Sequence, residues 1–272
     1  MLSPGEFIER YAGLGAAKAK TPAARLFILG MLAGFFIAMA GAATNTAAFS
    51  LAPASAVKLV CGLLFPFGLV MVVLTGAELF TGNCLMVISL LKGSAGLGGV
   101  LRNWGLVYFG NFAGALLGAA ACVLSGQMDL SGGALAVYTI RLAAAKCSLP
   151  FGRALLLGVL CNVLVCTAVA CALMAGSLPG KAIGAYLPVC FFVLCGFEHC
   201  VANMYYIPAG LLALAVPEYA GLALAAGVDV SALSWGGFLL NNLLPVTLGN
   251  LLGGAGLAVL LWYCHGCGKD GK

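Results

Sequence analysis

Charged residues are so sparse along this chain that the stretches between them outline its elements. Residues 26–57, 59–77, 79–91, 103–128, 154–180, 182–197, 199–217 and 230–268 contain no Asp, Glu, Lys or Arg. A helix that crosses a bilayer needs about 20 apolar residues, with about 17–25 the working range. Runs 59–77 and 79–91 are separated only by Glu78, and runs 182–197 and 199–217 only by Glu198. Reading each such pair as one interrupted helix leaves six spans. The period-two alternation of a membrane β-barrel is missing, so the spans are helical. The predicted fold class is an all-α membrane protein of six transmembrane helices whose second and fifth are broken.

Composition supports this class. The chain is 63% hydrophobic and 8% charged, whereas soluble domains carry about 25% charged residues. With the N-terminus inside, the inner segments hold Arg10, Lys18, Lys20, Arg25, Lys92, Arg102, Lys181, Lys269 and Lys272, and the outer ones hold Lys58, Arg141, Lys146 and Arg153. That nine-to-four bias places both termini in the cytoplasm of a cell-membrane protein. The net charge of +5 therefore reflects topology, and no basic cluster points to nucleic acid.

The N-terminus does not read as a signal peptide, because Glu6, Glu9 and Arg10 stand where its apolar core would begin. Ser3-Pro4-Gly5-Glu6 predicts a helix start, and residues 4–20 an amphipathic helix on the inner surface. The organisation expected is a cytoplasmic N-terminal segment 1–25, a channel domain 26–264 and a cytoplasmic tail 265–272. Cys61, Cys84, Cys122, Cys161, Cys166, Cys171, Cys190 and Cys195 sit within apolar runs, where cysteine behaves as a small hydrophobe. Cys264-His265-Gly266-Cys267 is the only metal-like spacing and lacks a second ligand pair, so neither a metal nor any other cofactor is expected.

The two halves of the chain repeat one order of features. Gly30-Met31-Leu32-Ala33-Gly34 corresponds to Gly158-Val159-Leu160-Cys161-Asn162, Glu78 to Glu198, and Gly110-Asn111-Phe112-Ala113-Gly114 to Gly249-Asn250-Leu251-Leu252-Gly253, at offsets of 128, 120 and 139 residues. Three helices are an odd number, so the second half must thread the membrane in the opposite direction. Such inverted repeats put substrate sites near the midplane, on discontinuous helices. Both central motifs read Gly-x-Glu-x-x-x-x-Asn, from Gly76 to Asn83 and from Gly196 to Asn203. Glu78 and Glu198 are two of only eight acidic residues, and an ionisable group in lipid is by default a functional-site hypothesis. The reading adopted for them is structural: Gly76, Gly82 and Gly196 end helices, and the carboxylates accept backbone N–H groups freed at the breaks.

Gly76-Ala77-Glu78-Leu79-Phe80-Thr81, Gly196-Phe197-Glu198-His199-Cys200-Val201-Ala202-Asn203-Met204 and Asn242-Leu243-Leu244-Pro245-Val246-Thr247-Leu248-Gly249-Asn250 resemble signatures of the formate/nitrite transporter family, as does Asn103-Trp104 followed by Tyr108-Phe109-Gly110-Asn111. The resemblance runs from the first span to the sixth. It implies a homopentamer of aquaporin-like protomers, each with its own pore, passing small monovalent anions such as formate, nitrite or hydrosulfide. By matching motif, His199 is the pore histidine, Thr81 lies in the loop interrupting the second helix, Lys146 is the buried lysine near the histidine, and Asn162 faces that histidine. Phe65, Leu69 and Phe192 are the apolar constrictions. One departure is Gly82-Asn83 after Thr81, where formate channels often carry small hydroxyl residues.

Magnitudes select the permeating species. Stripping water from a bare anion costs on the order of 20 kcal/mol. Protonating a carboxylate of pKa about 4 at pH 7 costs roughly 4 kcal/mol. Neutral acid is thus the species expected to pass Phe65, Leu69 and Phe192, with protons as co-substrate. The proton comes through His199 or from water stabilised by Lys146, and the sequence leaves both routes open. A membrane enzyme would need a nucleophile–base pair or a metal set, yet the chain has only two histidines, one of them in the tail. A purely structural membrane protein would not need two charged midplane breaks.

Overall fold

The computed structural model describes residues 1–266. Cys267, Lys269 and Lys272, which belong to the predicted tail and its Cys-x-x-Cys spacing, lie outside the described residues.

Helix α1 (Pro4–Lys20) starts at a capping box in which Ser3 Oγ accepts from Glu6 N–H and the Glu6 carboxylate accepts from Ser3 N–H. Its apolar side buries Phe7, Ile8 and Tyr11. The chain then runs through α2 (Ala23–Ala48), the paired α3 (Ala54–Leu64) and α4 (Phe67–Thr75), the short α5 (Phe80–Asn83) and α6 (Val87–Leu91), and α7 (Leu97–Leu124). The second half follows as α8 (Leu130–Cys147), α9 (Phe151–Met174), α10 (Leu178–Cys195), α11 (Cys200–Leu214), α12 (Pro217–Ala225) and α13 (Leu244–His265), the last entered through a wide helical turn over Gly237–Leu243.

Among the described residues, six helical stretches are long and apolar enough to cross a membrane: Ala23–Ala48, Ala54–Thr75, Leu97–Leu124, Phe151–Met174, Leu178–Cys195 and Gly237–His265. They are the six predicted spans, and the second and fifth continue beyond their breaks as Phe80–Leu91 and Cys200–Leu214. The protein is therefore an all-α, multi-pass membrane protein with two interrupted helices.

The hydrophobic pattern left out two elements, the short α12 and the longer α8. Helix α8 packs on α11 at the face opposite the N-terminus. By position in the repeat it is the counterpart of α1, and Lys18 and Lys146 are related by the same 128-residue offset as Gly30 and Gly158. Helix α7 also starts earlier than the uncharged run, taking in Arg102, whose guanidinium donates to the Thr21 carbonyl at 2.9 Å.

Glycines set how closely the long helices cross. A Cβ on Gly34 of α2 would stand 2.0 Å from the Asn111 carbonyl oxygen of α7, and one on Gly253 of α13 would stand 2.2 Å from the Val159 oxygen of α9. Small residues of this kind allow the backbone-to-backbone packing on which helix association in lipid depends. The same crossing therefore recurs in each half, and it holds the two breaks in register.

Candidate functional site

Each break is a left-handed glycine followed by a short extended stretch. Gly76 (φ 71°) ends α4, and Gly196 (φ 73°) ends α10. This backbone region suits glycine, which has no Cβ to clash. Leu79 and His199 then occupy equivalent extended positions just before α5 and α11. The backbone groups exposed at the breaks are satisfied by asparagines. Asn111 Oδ1 accepts from Phe80 N–H at 2.9 Å while its amide donates to the Gly30 and Glu78 carbonyls. Asn250 repeats this with Cys200 N–H, the Gly158 carbonyl and the Glu198 carbonyl. Leaving such groups unpaired at this depth would cost several kcal/mol each, roughly.

The glutamates do something else, and here the expectation is corrected. Their carboxylates do not accept backbone N–H groups at the breaks; they accept from lysine and asparagine side chains. Lys18 Nζ donates to both oxygens of Glu78 at 2.8 Å and to Asn83 Oδ1 at 2.9 Å, while Asn83 Nδ2 donates to Glu78 Oε2 and Asn103 Oδ1. In the other half, Lys146 Nζ donates to Glu198 Oε1 at 2.7 Å, and Asn203 Nδ2 to Glu198 Oε2 and Asn242 Oδ1. Asn103 and Asn242 close the two circuits onto the Lys18 and Lys146 carbonyls. The carboxylates are nearly buried, with Glu78 8% and Glu198 5% exposed. A charge at that depth needs its ion pair.

The two circuits differ in one respect. Lys18 has an acceptor for each of its three protons, whereas Lys146 has one, and its ammonium nitrogen stands 5.6 Å from the Tyr206 ring centre. Asn203 Oδ1, the counterpart of the Asn83 oxygen that Lys18 engages, has no hydrogen-bond partner among the described residues.

At the centre the twofold relation fails. The first half supplies Leu79 and Thr81 where the second supplies His199 and Val201. His199 is 3% exposed. Its Nδ1 accepts from Ala202 N–H at 3.0 Å, capping α11, and its Nε2 lies 2.9 Å from Thr81 Oγ1. A ring nitrogen that accepts a backbone N–H carries no proton itself, so the tautomer assigned by this network has its hydrogen on Nε2, donated to Thr81. Thr81 keeps its own hydroxyl hydrogen to offer. The Phe192 ring stacks on the imidazole at 5.9 Å, and Phe65 packs edge-on against Phe192 at 6.0 Å.

A gap of about 10 Å³ lined by Phe65, Leu69, Leu79, Phe192 and His199 separates two vestibules. That is the lower limit for one water molecule. The vestibule on the face opposite the N-terminus measures about 370 Å³ and is walled by Phe65, Lys146, Phe192, His199, Asn203 and Tyr206 among others. The one on the N-terminal face measures about 280 Å³ and reaches Lys18, Leu69, Glu78, Leu79 and Asn83.

The structure thus brings together His199, Thr81, Phe65, Leu69 and Phe192, with Lys146, Glu198 and Asn203 on one side and Glu78 and Asn83 on the other. Thr81 and Gly82 sit differently from expectation, Gly82 lying inside α5 rather than ending a helix. Thr81 belongs to the first turn of α5, and the interrupting loop is the stretch from Gly76 to Leu79. Asn162 does not hydrogen-bond to the imidazole; its amide donates to the Thr81 and Asn250 carbonyls at 3.2 and 2.6 Å, holding the half-helix that carries Thr81. Sequence reasoning missed Lys18, Asn103, Asn111, Asn242 and Asn250 as members of the site. The repeat itself carried the signal, because each stands at a repeat offset from its partner: Lys18 from Lys146, Asn103 from Asn242, and Asn111 from Asn250.

Two interrupted helices related by the repeat, with a polar contact between two recesses, define a membrane channel or transporter. The sequence profile described as "Formate/nitrite transporter" matches residues 5–264, and the chain belongs to that family, a family of transporters rather than enzymes. It is 36% identical to the probable formate transporter of Methanothermobacter thermautotrophicus, covering 97% of each chain. It is 37% identical to the formate channel FocA of Escherichia coli strain K12, covering 97% of this chain and 93% of the relative. Among solved structures, a pentameric formate channel with formate bound superposes with a TM-score of 0.78 at 36% identity over 89% of this chain and 96% of the other. An ion channel of the same family gives 0.82 at 25% identity over 95% and 98%.

Proposed function

We propose that this protein conducts formate, or a similarly small monovalent acid anion, as the neutral acid with its proton. The observation that carries the reading is that His199, hydrogen-bonded to the buried Thr81, lines an otherwise apolar gap between two lysine-bearing vestibules. The formate channels among its relatives support the choice of formate. An anion arriving in either vestibule meets ammonium groups held by Glu198 or Glu78, and Lys146 has hydrogen-bond capacity to spare. Beyond it, Phe65, Leu69 and Phe192 exclude the water that would keep the anion charged. Taking a proton at about 4 kcal/mol is far easier than crossing that gap bare, at on the order of 20 kcal/mol. His199 couples proton to permeant as the polar group that lines the narrowest point, its Nε2–H shared between Thr81 Oγ1 and the carbonyl oxygen of a passing neutral acid. In this arrangement the proton enters with the permeant from vestibule water, because a neutral imidazole cannot surrender Nε2–H without becoming an anion.

Purified protein in proteoliposomes should take up labelled formate with accompanying internal acidification, and formate should outcompete nitrite and hydrosulfide. Nitrite or hydrosulfide dominating the competition would reassign the permeant within the same fold. Absence of flux for all three would overturn the transport reading of this site.

The homopentamer is proposed on the pentameric formate channel that the chain resembles, and native mass spectrometry should report five chains. Both termini are proposed to be cytoplasmic, on the nine-to-four distribution of Lys and Arg. A cysteine at Asp229 should then react with a membrane-impermeant maleimide added to intact cells, and one at Ser94 should not.

A further inference from the structure

The two half-buried lysines of the vestibules are the obvious collectors of anions, but their charges are already matched. Lys18 and Lys146 each form an ion pair with a glutamate, at 2.8 and 2.7 Å. At the distances over which an incoming anion is steered, each pair is a dipole with no net charge. Among the residues lining the vestibule opposite the N-terminus, the charged ones are Lys58, Lys146 and Glu198. Those lining the other are Lys18, Glu78 and Lys181. Pairing leaves one unmatched cation in each lining: Lys58 at one mouth and Lys181 at the other.

Lys58 is placed for this role by the break. It stands on α3, on the same broken span as Phe65, and its Nζ comes within 2.9 Å of where a Cβ on Gly196 would be. The missing side chain at Gly196 therefore clears the space that the ammonium group occupies above the fifth-helix break. The walls around it are apolar, with Phe65, Phe192, Val193 and Phe197 contributing. Low-dielectric walls focus the field of a single charge along a cleft and raise the local counter-ion concentration.

We infer that Lys58 is the anion-docking group of the vestibule opposite the N-terminus and Lys181 that of the other. Each sets how readily a monovalent anion is captured from its own side, while Lys146 and Lys18 receive the anion deeper in the vestibule. This inference rests on the anion-transport reading above. It predicts a capture constant that can be changed on one face alone.

The test compares right-side-out and inside-out vesicles from the same cells, with labelled formate as the probe, in about 0.01 M salt, where charges act over about 30 Å. Lys58→Gln should raise the half-saturation concentration about threefold for uptake from the Lys58 face, with the loss carried by half-saturation rather than maximum rate. Lys181→Gln should do so from the opposite face. Lys58→Arg, which keeps the charge, should restore the wild-type value. In about 1 M sodium gluconate, where screening shortens the range to about 3 Å, the difference between Lys58→Gln and wild type should vanish.

A purely structural Lys58, compensating the carbonyl end of α10, would instead lower thermal stability and change uptake equally from both faces and at both salt concentrations. That pattern, or a wild-type half-saturation in Lys58→Gln, overturns the inference while wild-type uptake keeps the formate reading intact. No formate uptake by wild type overturns the formate reading and this inference together.

Discussion

His199→Asn is expected to reduce proton-coupled formate uptake by about a hundredfold while the protein still folds and assembles. Asparagine is among the best residues at a helix N-terminus, so it can accept the Ala202 N–H that His199 Nδ1 now accepts at 3.0 Å. Its side chain is too short to reach Thr81 Oγ1, which His199 Nε2 meets at 2.9 Å. The variant therefore keeps the α11 cap and removes the Nε2–H donor that lines the gap. Imidazole, hydroxyl and permeating acid are all neutral, and removing one partner of such a buried hydrogen bond leaves the other unsatisfied at about 1–3 kcal/mol, where each 1.36 kcal/mol is a factor of ten in rate. Anion conductance without protons would survive only if water fills the space left by the ring. The measurement is formate-driven change of internal pH beside labelled formate uptake, at matched protein density in proteoliposomes. Wild-type coupling in a well-folded variant would show the imidazole to be a packing group.

Lys146→Ala should be the most damaging single change to the fold outside the glycine crossings. It leaves Glu198, 5% exposed, facing Asn203 and Asn242 without a cation. Breaking a buried ion pair by removing one partner destabilises by about 3–5 kcal/mol, whereas replacing both members with neutral groups is often tolerated. The Lys146 side chain keeps 15% of its exposure, which puts the expected loss at the low end, about 3 kcal/mol. The double variant Lys146→Met with Glu198→Gln should recover most of that stability, because Gln can still accept from Asn203. Uptake should stay impaired in both, with half-saturation raised, since the hydrogen-bond donor at the foot of the vestibule is gone. Thermal unfolding in detergent reads the stability. A double variant no more stable than Lys146→Ala would mean that the pair is not what holds α8 to the fifth-helix break.

The same logic applies to Lys18, with a different emphasis. All three of its protons are engaged, and Tyr11 on the same helix donates to the Gly82 carbonyl. Helix α1 is thereby fastened to the second-helix break through Asn83 and the Gly82 carbonyl. The Asn83 amide bridges Lys18, Glu78 and Asn103.

What was legible in the sequence follows from how lipid acts on a chain. Because lipid cannot solvate backbone or charge, the spans must be apolar and helical, and the two interruptions had to be where Glu78 and Glu198 fall. The glycines at 76 and 196 mark positions that require a positive φ, and they end α4 and α10 as expected. The order of repeated motifs required the second half to enter the membrane inverted. Family motifs singled out His199 and the three apolar residues of the constriction, which line one narrow gap, and Thr81, which hydrogen-bonds to His199 behind it.

Other features were decided only by tertiary structure, for reasons equally physical. Helix α8 carries Arg141 and Lys146, so no hydropathy window could give it a place. It is ordered by packing on α11 and by the Lys146–Glu198 pair. The partners of Glu78 and Glu198 depend on which long side chains reach them from 60 and 52 residues away, a distance in space that spacing along the chain does not encode. The histidine tautomer follows from the Ala202 N–H, a consequence of where α11 begins. Composition and periodicity thus determined that this is a six-span membrane protein with two midplane breaks. The three-dimensional packing decided which charges are paired, and so which lysines are left facing an incoming anion.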